Sequence, residues 1–502
     1  MNLETYFNSF KKHVIGDGEY FNTPDGKKPL LYADWTASGR LYSPIESVLI
    51  HKLGPYVANT HTETNVSGSS MTMAYAYAKQ LIKKHVNASP NDVIITSNAG
   101  MTGVVNKFQR ILGLKIHENF RPLIDDQLEK PVVFVSHMEH HSNQTSWLET
   151  IAEVVVIPPD AEGLVSLDAL KNLLKEFKDR KIKIAAITSC SNVTGIFTPY
   201  YEIAEIMHLN GGWCFVDFAC SAPYISIDMH PHNAHQYLDA IYFSPHKFLG
   251  GPGSSGVLIF NQSLYKNRVP DHPGGGTVDW TNPWGEHKYL EKIELREDGG
   301  TPGFLQTIKA ALAIQLKEEM GVENITTREH QMVAKIIPAL KAIPKLHLLA
   351  DQHANRLGIF SFYIEGLHFN LGVKLLNDKF GIQVRGGCSC AGTYGHYLLE
   401  VSRQKSNEIT HKIDVGDLSE KPGWIRWSVH PIMSDEEIDY IISSIEALVL
   451  HFEDWKDSYQ YDLHTNEFVH HTFDDQLENK VISWFDAPSK LKEYNEPENI
   501  FR

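Results

Sequence analysis

The most reactive group suggested by the sequence is Lys247, which lies in the segment YFSPHKFLGGPG (residues 242–253). An apolar strand ends just before this lysine. The amine is therefore expected at the carboxyl edge of a parallel sheet, where open α/β folds bind ligands. An amine with a depressed pKa is suited to forming a Schiff base with pyridoxal 5′-phosphate (PLP). This segment alone is equally compatible with an exposed lysine at a strand end.

A carboxylate in a similar position supports the same cofactor. Asp217 ends the strand-like segment WCFVD (213–217). A carboxylate at that edge can keep a pyridinium nitrogen protonated and so maintain the ring as an electron sink. The alternative is a helix cap or a loop aspartate, which is the commoner role of an acid after a strand.

Two further segments could complete such a site. The turn TSNAGMTG (96–103) leads from a strand into a helix, and its backbone amides and helix dipole suit a phosphate, although a plain tight turn has the same composition. In MEHHSN (138–143) an imidazole could stack on the cofactor ring. Adjacent histidines point in different directions and no third ligand is evident, so no metal site is predicted.

Composition limits the class of protein. The chain has 502 residues, 42% of them hydrophobic and 21% charged, and a net charge of −15. That balance predicts a folded protein and argues against nucleic acid as a partner. No apolar run approaches the roughly 18 residues that span a bilayer, and no signal pattern opens the chain, which predicts a cytoplasmic protein without a membrane partner. Five cysteines are too few for a disulfide framework and predict reduced thiols.

Alternating β-branched and helical segments predict an α/β fold with a mostly parallel sheet. The predicted strands are Val93–Thr96, Val132–Val135, Ile184–Thr188, Trp213–Asp217, Ala240–Phe243 and Val257–Phe260. Helices are predicted at Thr102–Leu112, Leu167–Phe177 and Tyr200–Leu209. The segment Met71–Ala78 is expected to lie in a packed helix.

A stretch rich in Gly and Pro at 270–302 suggests a domain boundary. Beyond it, helices at Phe304–Met320 and Arg328–Ala342, strands at Leu357–Ile364, Ile382–Arg385 and Trp424–Val429, and a capping box at Ser434–Glu437 predict a smaller α+β domain. The expected division is an N-terminal arm (1–29), a large domain (30–300), a small C-terminal domain (301–453) and an acidic extension (454–502). The extension is expected to be a solvated appendage.

In their order along the chain and in their residue sequences, these segments resemble the class V aminotransferase superfamily of PLP enzymes (fold type I), and most closely its cysteine desulfurase branch. The resemblance covers about Leu30 to Leu450 and implies that Lys247 binds the cofactor covalently, that Asp217 pairs with the pyridinium and that His140 stacks on the ring. It implies phosphate contacts from the Gly100 and Met101 amides, Thr102, Ser244 and His246, and from Thr277 across a homodimer. Asn192 would lie near the cofactor oxygen and the substrate carboxylate, and Arg426 would bind that carboxylate, with Arg385 nearby.

The sequence departs from that family pattern at three places. Cys220 stands where the family often has Gln, and Asn59–Gly68 lacks the arginine and second histidine of a typical desulfurase. In the loop VRGGCSCAG (384–392), Cys390 occupies the nucleophile's place and Cys388-Ser389 replaces a common histidine pair. A guanidinium nearby, such as Arg385, would favour a thiolate. The alternatives for this loop are half of a metal site, for which no matching Cys or His pair is evident, and a turn of small residues with buried thiols. Cys190, Cys214 and Cys220 are expected to pack in the interior.

The resemblance therefore implies an enzyme that converts L-cysteine to L-alanine and carries a persulfide on Cys390, with a sulfur-acceptor protein as a possible partner. Transamination, epimerisation or elimination on another amino acid is the alternative, since Lys247 and Asp217 suffice for it. A non-catalytic binding protein of the same fold is disfavoured, because it has no chemical need for Lys247, Asp217 and His140 together. No role is predicted for the insertion Thr393–Pro422.

Overall fold

The computed structural model of the chain describes residues 2–60, 62–124, 129–474 and 476–485. The first elements are α1 (Leu3–Lys11), β1 (Tyr20–Thr23), β2 (Gly26–Pro29), β3 (Leu31–Tyr32), α2 (Ser43–Ser47) and α3 (Val66–His85). The arm before β3 is tied to later parts of the chain, because Lys379 pairs with Asp25 at 2.8 Å and Lys11 pairs with Glu437. Helix α3 buries Met71 and Ala78, which confirms the predicted packed helix.

A seven-stranded sheet forms the core of the large domain. Its strands are β4 (Asp92–Ser97), β5 (Val132–Ser136), β6 (Glu153–Ile157), β7 (Lys183–Thr188), β8 (Trp213–Asp217), β9 (Ala240–Phe243) and β10 (Gly256–Asn261). They lie in the order β4-β10-β9-β8-β7-β5-β6, and β10 runs antiparallel to both of its neighbours. The mostly parallel α/β sheet is confirmed.

One strand of this sheet was not predicted. Strand β6 is an edge strand whose residues, apart from Ile157, are only partly buried or exposed. It begins shortly after a helix, and the intervening Ile151 and Ala152 are apolar, so no turn signal separates the two elements.

Helices that connect the strands cover this sheet. They are α4 (Gly100–Ile111), α5 (Arg121–Ile124), α6 (His141–Leu148), α7 (Leu167–Glu176) and α8 (Tyr200–Leu209). Helix α4 begins two residues before its predicted start, because Gly100 adopts a φ of 60° and turns the chain sharply after β4. Since β5, β7, β8 and β9 are parallel, the residues that follow them gather at one edge of the sheet.

The Gly- and Pro-rich stretch contains a hairpin of β11 (Val278–Thr281) and β12 (His287–Tyr289), followed by α9 (Ile293–Arg296). Two long helices come next, α10 (Phe304–Met320) and α11 (Val322–Ala342). Helix α11 starts six residues before the predicted Arg328.

The small domain is built on a four-stranded antiparallel sheet of order β13-β14-β17-β16. Its elements are β13 (Leu346–Leu348), β14 (Ile359–Ile364), α12 (Phe369–Phe380), β15 (Ile382–Gln383), β16 (Arg385–Gly387), α13 (Gly392–Leu398), α14 (Arg403–Asp414), β17 (Trp424–Ser428) and α15 (Asp435–Trp455). The strand predicted at 382–385 is two strands, because β15 pairs with β3 while β16 pairs with β17. The predicted capping box at Ser434 and Glu437 is present.

The acidic extension begins with β18 (Tyr459–Asp462), β19 (Glu467–His470) and α16 (Leu477–Ser483). A solvated appendage was wrong for the hairpin β18–β19: the Tyr459 hydroxyl donates to Asp378 of α12 at 2.9 Å, and Asn370 donates to the Asn466 carbonyl at 2.5 Å. The hairpin packs through aromatic residues, which a count of charged residues does not reveal. Residues 475 and 486–502 of the extension lie outside the described part. No helix in the described ranges is long and apolar enough to cross a membrane.

Candidate active site

A cavity of about 220 Å³ lies where the ends of β5, β7, β8 and β9 meet the small domain. Most of the predicted site residues line it, namely Met101, Thr102, His140, Asn192, Asp217, Ser244, His246, Lys247, Arg385, Cys390 and Arg426. Gly100 lies immediately behind this wall, and a Cβ placed on it would sit 3.3 Å from the Ser244 hydroxyl. Thr277 does not line this cavity.

Lys247 ends a 3₁₀ turn, Pro245–Lys247, that follows β9 directly. Burial of its amine lowers the Lys247 pKa, and nearby Cys220 and Asp217 oppose that shift. A buried amine with a lowered pKa has a larger neutral fraction, and the neutral amine is the form that attacks carbonyl carbon. The geometry therefore supports a nucleophilic amine at this position.

Asp217 is the last residue of β8 and is only 3% exposed. Its Oδ1 accepts a hydrogen bond from the Ala219 amide at 2.8 Å. Burial raises the pKa of Asp217 to about 6, while the Ala219 amide and the Lys247 amine act in the opposite direction. A buried carboxylate of this kind can hold a proton on an aromatic nitrogen.

Two adjacent histidines have different positions in the site. His140 is the N-cap of α6, and its Nδ1 accepts from the Ser142 amide at 3.1 Å. Burial, together with the Lys247 charge, lowers the His140 pKa to about 3, so its ring is neutral. His141 instead holds the Cys390 loop: its amide donates to the Cys390 carbonyl at 2.7 Å, and its Nε2 accepts from the Gly392 amide at 3.0 Å. Among the described residues no cluster of His, Cys, Asp or Glu could hold a metal ion.

Hydroxyl groups surround the first turn of α4. The Ser244 hydroxyl accepts from the Met101 amide at 2.9 Å, and the Thr102 and Ser142 hydroxyls lie 2.7 Å apart. All of these residues line the cavity, together with the His246 ring. A helix N-terminus surrounded by hydroxyl donors is suited to a phosphate group. The sequence did not single out Ser142, although it lies within the quoted MEHHSN segment.

Two arginines face the cavity from the small domain. Arg385 and Arg426 are opposite each other on β16 and β17, and both bind Asp34: Arg385 Nε is 3.0 Å from Oδ2, and Arg426 Nη2 is 2.8 Å from Oδ1. Arg426 also donates to the Asn192 carbonyl at 3.0 Å, and its buried Nε has no hydrogen-bond partner in the described part of the chain. One carboxylate between two guanidinium groups leaves a net positive charge, which suits a carboxylate ligand. Asp34 was not predicted, although it follows an apolar segment just as Asp217 does.

The Cys390 loop follows β16. Ser389 and Cys390 both have left-handed backbone conformations, with φ values of 52° and 57°. Side chains of the large and small domains fix this shape: the Asn192 amide donates to the Ser389 carbonyl at 2.7 Å, and the Trp424 indole donates to the Ser389 hydroxyl at 3.2 Å. Cys390 is exposed and lines the cavity, whereas Cys388 is half-buried against the core and does not line it.

Two of the three cysteines expected to pack also reach the site. Cys190 and Cys220 are buried, yet both line the cavity, and their thiols donate to the same Ser191 carbonyl at 3.7 and 3.8 Å. Cys214 is buried in β8 and packs as expected. The thiol of Cys220 is thus one of the groups beside Lys247.

Residues 31–441 match the sequence pattern of the family described as "Aminotransferase class-V". The chain belongs to the class V aminotransferase family. A protein of Halalkalibacterium halodurans named "Probable cysteine desulfurase" is 28% identical over 367 residues, which cover 72% of this chain and 84% of that protein. A protein of the same name from Staphylococcus aureus is 28% identical over 383 residues, covering 75% and 87%.

Solved structures share the fold of this class V chain. An apo cysteine desulfurase from Thermococcus onnurineus superposes with a TM-score of 0.68 at 23% identity, covering 84% of this chain and 95% of that one. A cysteine desulfurase from Escherichia coli gives the same TM-score at 20% identity, covering 89% and 98%. These similarities confirm the predicted family and fold.

Proposed function

We propose that this protein is a PLP-dependent cysteine desulfurase, which converts L-cysteine and the Cys390 thiol into L-alanine and a Cys390 persulfide. The observation that carries this proposal is that Lys247, Asp217 and Cys390 line one cavity although they come from distant parts of the chain. The names of the relatives support the same reaction. The substrate sulfur leaves carbon and bonds to the enzyme sulfur, so no external oxidant is needed.

The side chains of the cavity fit PLP. Lys247 would bind its aldehyde carbon, Asp217 its pyridinium nitrogen, and the hydroxyl groups at the start of α4 its phosphate. His140, held as the cap of α6, would lie against the ring. When bound, PLP supplies an electron sink that weakens bonds near the amino-acid nitrogen.

The other residues of the cavity have roles in binding the amino acid. Arg426, with its free Nε, would take the substrate carboxylate, and Asn192 would fix both that carboxylate and the Cys390 loop through its bond to the Ser389 carbonyl. Arg385, which is 48% exposed in its side chain, lies at the outer side of the arginine pair. This arrangement would orient the substrate sulfur towards Cys390 rather than towards solvent.

The direct test is to incubate the PLP-loaded protein with L-cysteine and a thiol reductant and to quantify alanine and sulfide. We expect both products in equal amounts. Pyruvate and ammonia in place of alanine would indicate elimination, and turnover of other amino acids without alanine would favour transamination or epimerisation. Either result would contradict the desulfurase proposal.

We also propose that the protein is a homodimer. In its own chain Thr277 stands outside the cofactor cavity and its fully buried hydroxyl donates to the Gly274 carbonyl, so the dimer rests on the resemblance. The resemblance assigns Thr277 to the partner's phosphate site. Light scattering at micromolar concentration should therefore give twice the chain mass of 56.8 kDa. A monomer that retains PLP would contradict this proposal.

We infer that a sulfur-acceptor protein, which would take the persulfide sulfur, is a further partner of this enzyme. The five cysteines are free thiols, which supports a reducing compartment such as the cytoplasm.

A further inference from the structure

Glu139 is a fully buried carboxyl group directly before His140, in the turn between β5 and α6. Four donors surround it. Its Oε1 accepts from the Ser136 amide at 3.2 Å, from the Ser136 hydroxyl and from the Thr188 amide at 2.8 Å. Its Oε2 accepts from Asn143 Nδ2 at 2.7 Å.

The orientation of Asn143 is fixed by its other neighbours. Its Oδ1 accepts from the Trp147 indole at 3.2 Å and from the Tyr242 hydroxyl at 2.6 Å. An indole nitrogen can only donate, so the amide oxygen must face Trp147 and the amide nitrogen must face Glu139. The two backbone amides on Oε1 are also donors only. Three of the four contacts therefore require Glu139 to accept.

These contacts join the parts of the fold that carry the cofactor residues. Ser136 ends β5, Thr188 ends β7, and Asn143 lies in the first turn of α6, the helix capped by His140. Thr188 is in turn the register partner of Asp217 on β8. Glu139 thus contacts β7, the strand next to the one that carries Asp217, the proposed pyridinium partner. It also directly precedes His140, the proposed ring-stacking imidazole.

We propose that Glu139 is a positioning residue that fixes His140 and the Thr188–Asp217 edge relative to each other through this set of acceptor bonds. It does not line the cavity and would not touch the cofactor. This inference rests on the proposed function, since the positions that it fixes matter for PLP.

The variant Glu139→Gln tests the proposal because it keeps the shape and replaces one acceptor by a donor. The new NH₂ group must face either the Thr188 and Ser136 amides or the Asn143 amide, and each choice sets donor against donor. Burying a hydrogen-bond donor without an acceptor is unfavourable. Its free-energy cost corresponds to about a tenfold change in a binding constant that depends on this arrangement. We expect Glu139→Gln to bind PLP about tenfold more weakly, and the pH midpoint of the bound cofactor's visible absorbance to shift.

A matched rescue is available at the other end of the Oε2 contact. In Glu139→Gln/Asn143→Asp the glutamine NH₂ donates to the new carboxylate, whose other oxygen still accepts from Trp147 and Tyr242. Every donor regains an acceptor, and the pair again contains one carboxyl group and one amide. PLP affinity should return to within about threefold of the wild-type value, and the pH midpoint should return to near its wild-type value.

The measurements are the equilibrium PLP dissociation constant, the absorbance–pH profile and circular dichroism of the apoproteins. Wild-type affinity and profile in Glu139→Gln would overturn the proposal, and so would a double variant that fails to recover them or to fold. A lower thermal midpoint with an unchanged profile would show a merely structural role and would also overturn it. Failure of the wild-type protein to bind PLP would instead refute the proposed function.

Discussion

Replacing Cys390 by serine is expected to abolish the formation of L-alanine from L-cysteine, with a loss of roughly a thousandfold or more, as when a nucleophile is removed from an enzyme that depends on it. A serine hydroxyl remains protonated near neutral pH and is a weak nucleophile, whereas a thiolate attacks sulfur readily. PLP binding should be unchanged, because the groups proposed to hold the cofactor, Lys247 and Asp217, lie in the large domain. Alanine is quantified by chromatography, and bound PLP by its visible absorbance.

Cys388→Ser is the matched control. Cys388 is two residues away in the same loop, but it is half-buried against the core and does not line the cavity. Its replacement should leave the rate within about threefold of wild type, as expected for a substitution that touches no reacting group. Full activity in Cys390→Ser, or an equal loss in both variants, would refute the role of Cys390 and with it the desulfurase proposal.

The backbone of this loop supports the distinction between the two thiols. A left-handed conformation at a residue other than glycine costs of order 1–3 kcal/mol, and it persists only where the surroundings enforce it. Ser389 and Cys390 are both in this region, and bonds from Asn192, Trp424 and His141 enforce it. Strain of this kind concentrates at functional sites. The loop therefore holds the Cys390 thiol at the cavity.

The groups on the large domain could be predicted from the sequence because each follows a strand. Asp217 ends one apolar strand, Lys247 ends the short turn that follows another, and parallel strands place such ends at a common edge. The same reasoning would have found Asp34, which follows the apolar segment at Leu30–Ala33. It was missed because that segment is short, and its strand pairs with β15 far along the chain.

The small-domain half of the site was not predictable from local pattern. Arg385, Cys390 and Arg426 reach the cavity only because β16 pairs with β17 and the small domain packs against the strand ends. Nothing in their spacing encodes that contact, so the resemblance to class V enzymes had to supply it. The role of His141 is likewise tertiary, since its partners are residues of the Cys390 loop.

Replacing Lys247 by alanine is expected to remove covalently bound PLP and to lower the alanine-forming rate by roughly a thousandfold or more. The amine is the one group in the cavity wall suited to bind the cofactor aldehyde, and no other lysine lines that cavity among the described residues. The wild-type protein loaded with PLP should be yellow. Reduction with borohydride followed by peptide mapping should place the cofactor mass on the peptide that contains Lys247.

The chain provides an internal control for this experiment. Lys317 is also buried, and burial lowers its pKa to about 7, yet its amine donates to the Ala222 carbonyl at 2.6 Å and does not line the cavity. If a lowered pKa alone selected the reactive amine, borohydride reduction would fix PLP on Lys317 as well; PLP fixed in this way is the label. If position at the strand end selects it, the label is confined to Lys247 and Lys317→Met retains covalent PLP. A label on Lys317, or covalent PLP retained in Lys247→Ala, would therefore refute the assignment of Lys247, because it would separate the reactive amine from the cavity that holds Asp217 and Cys390.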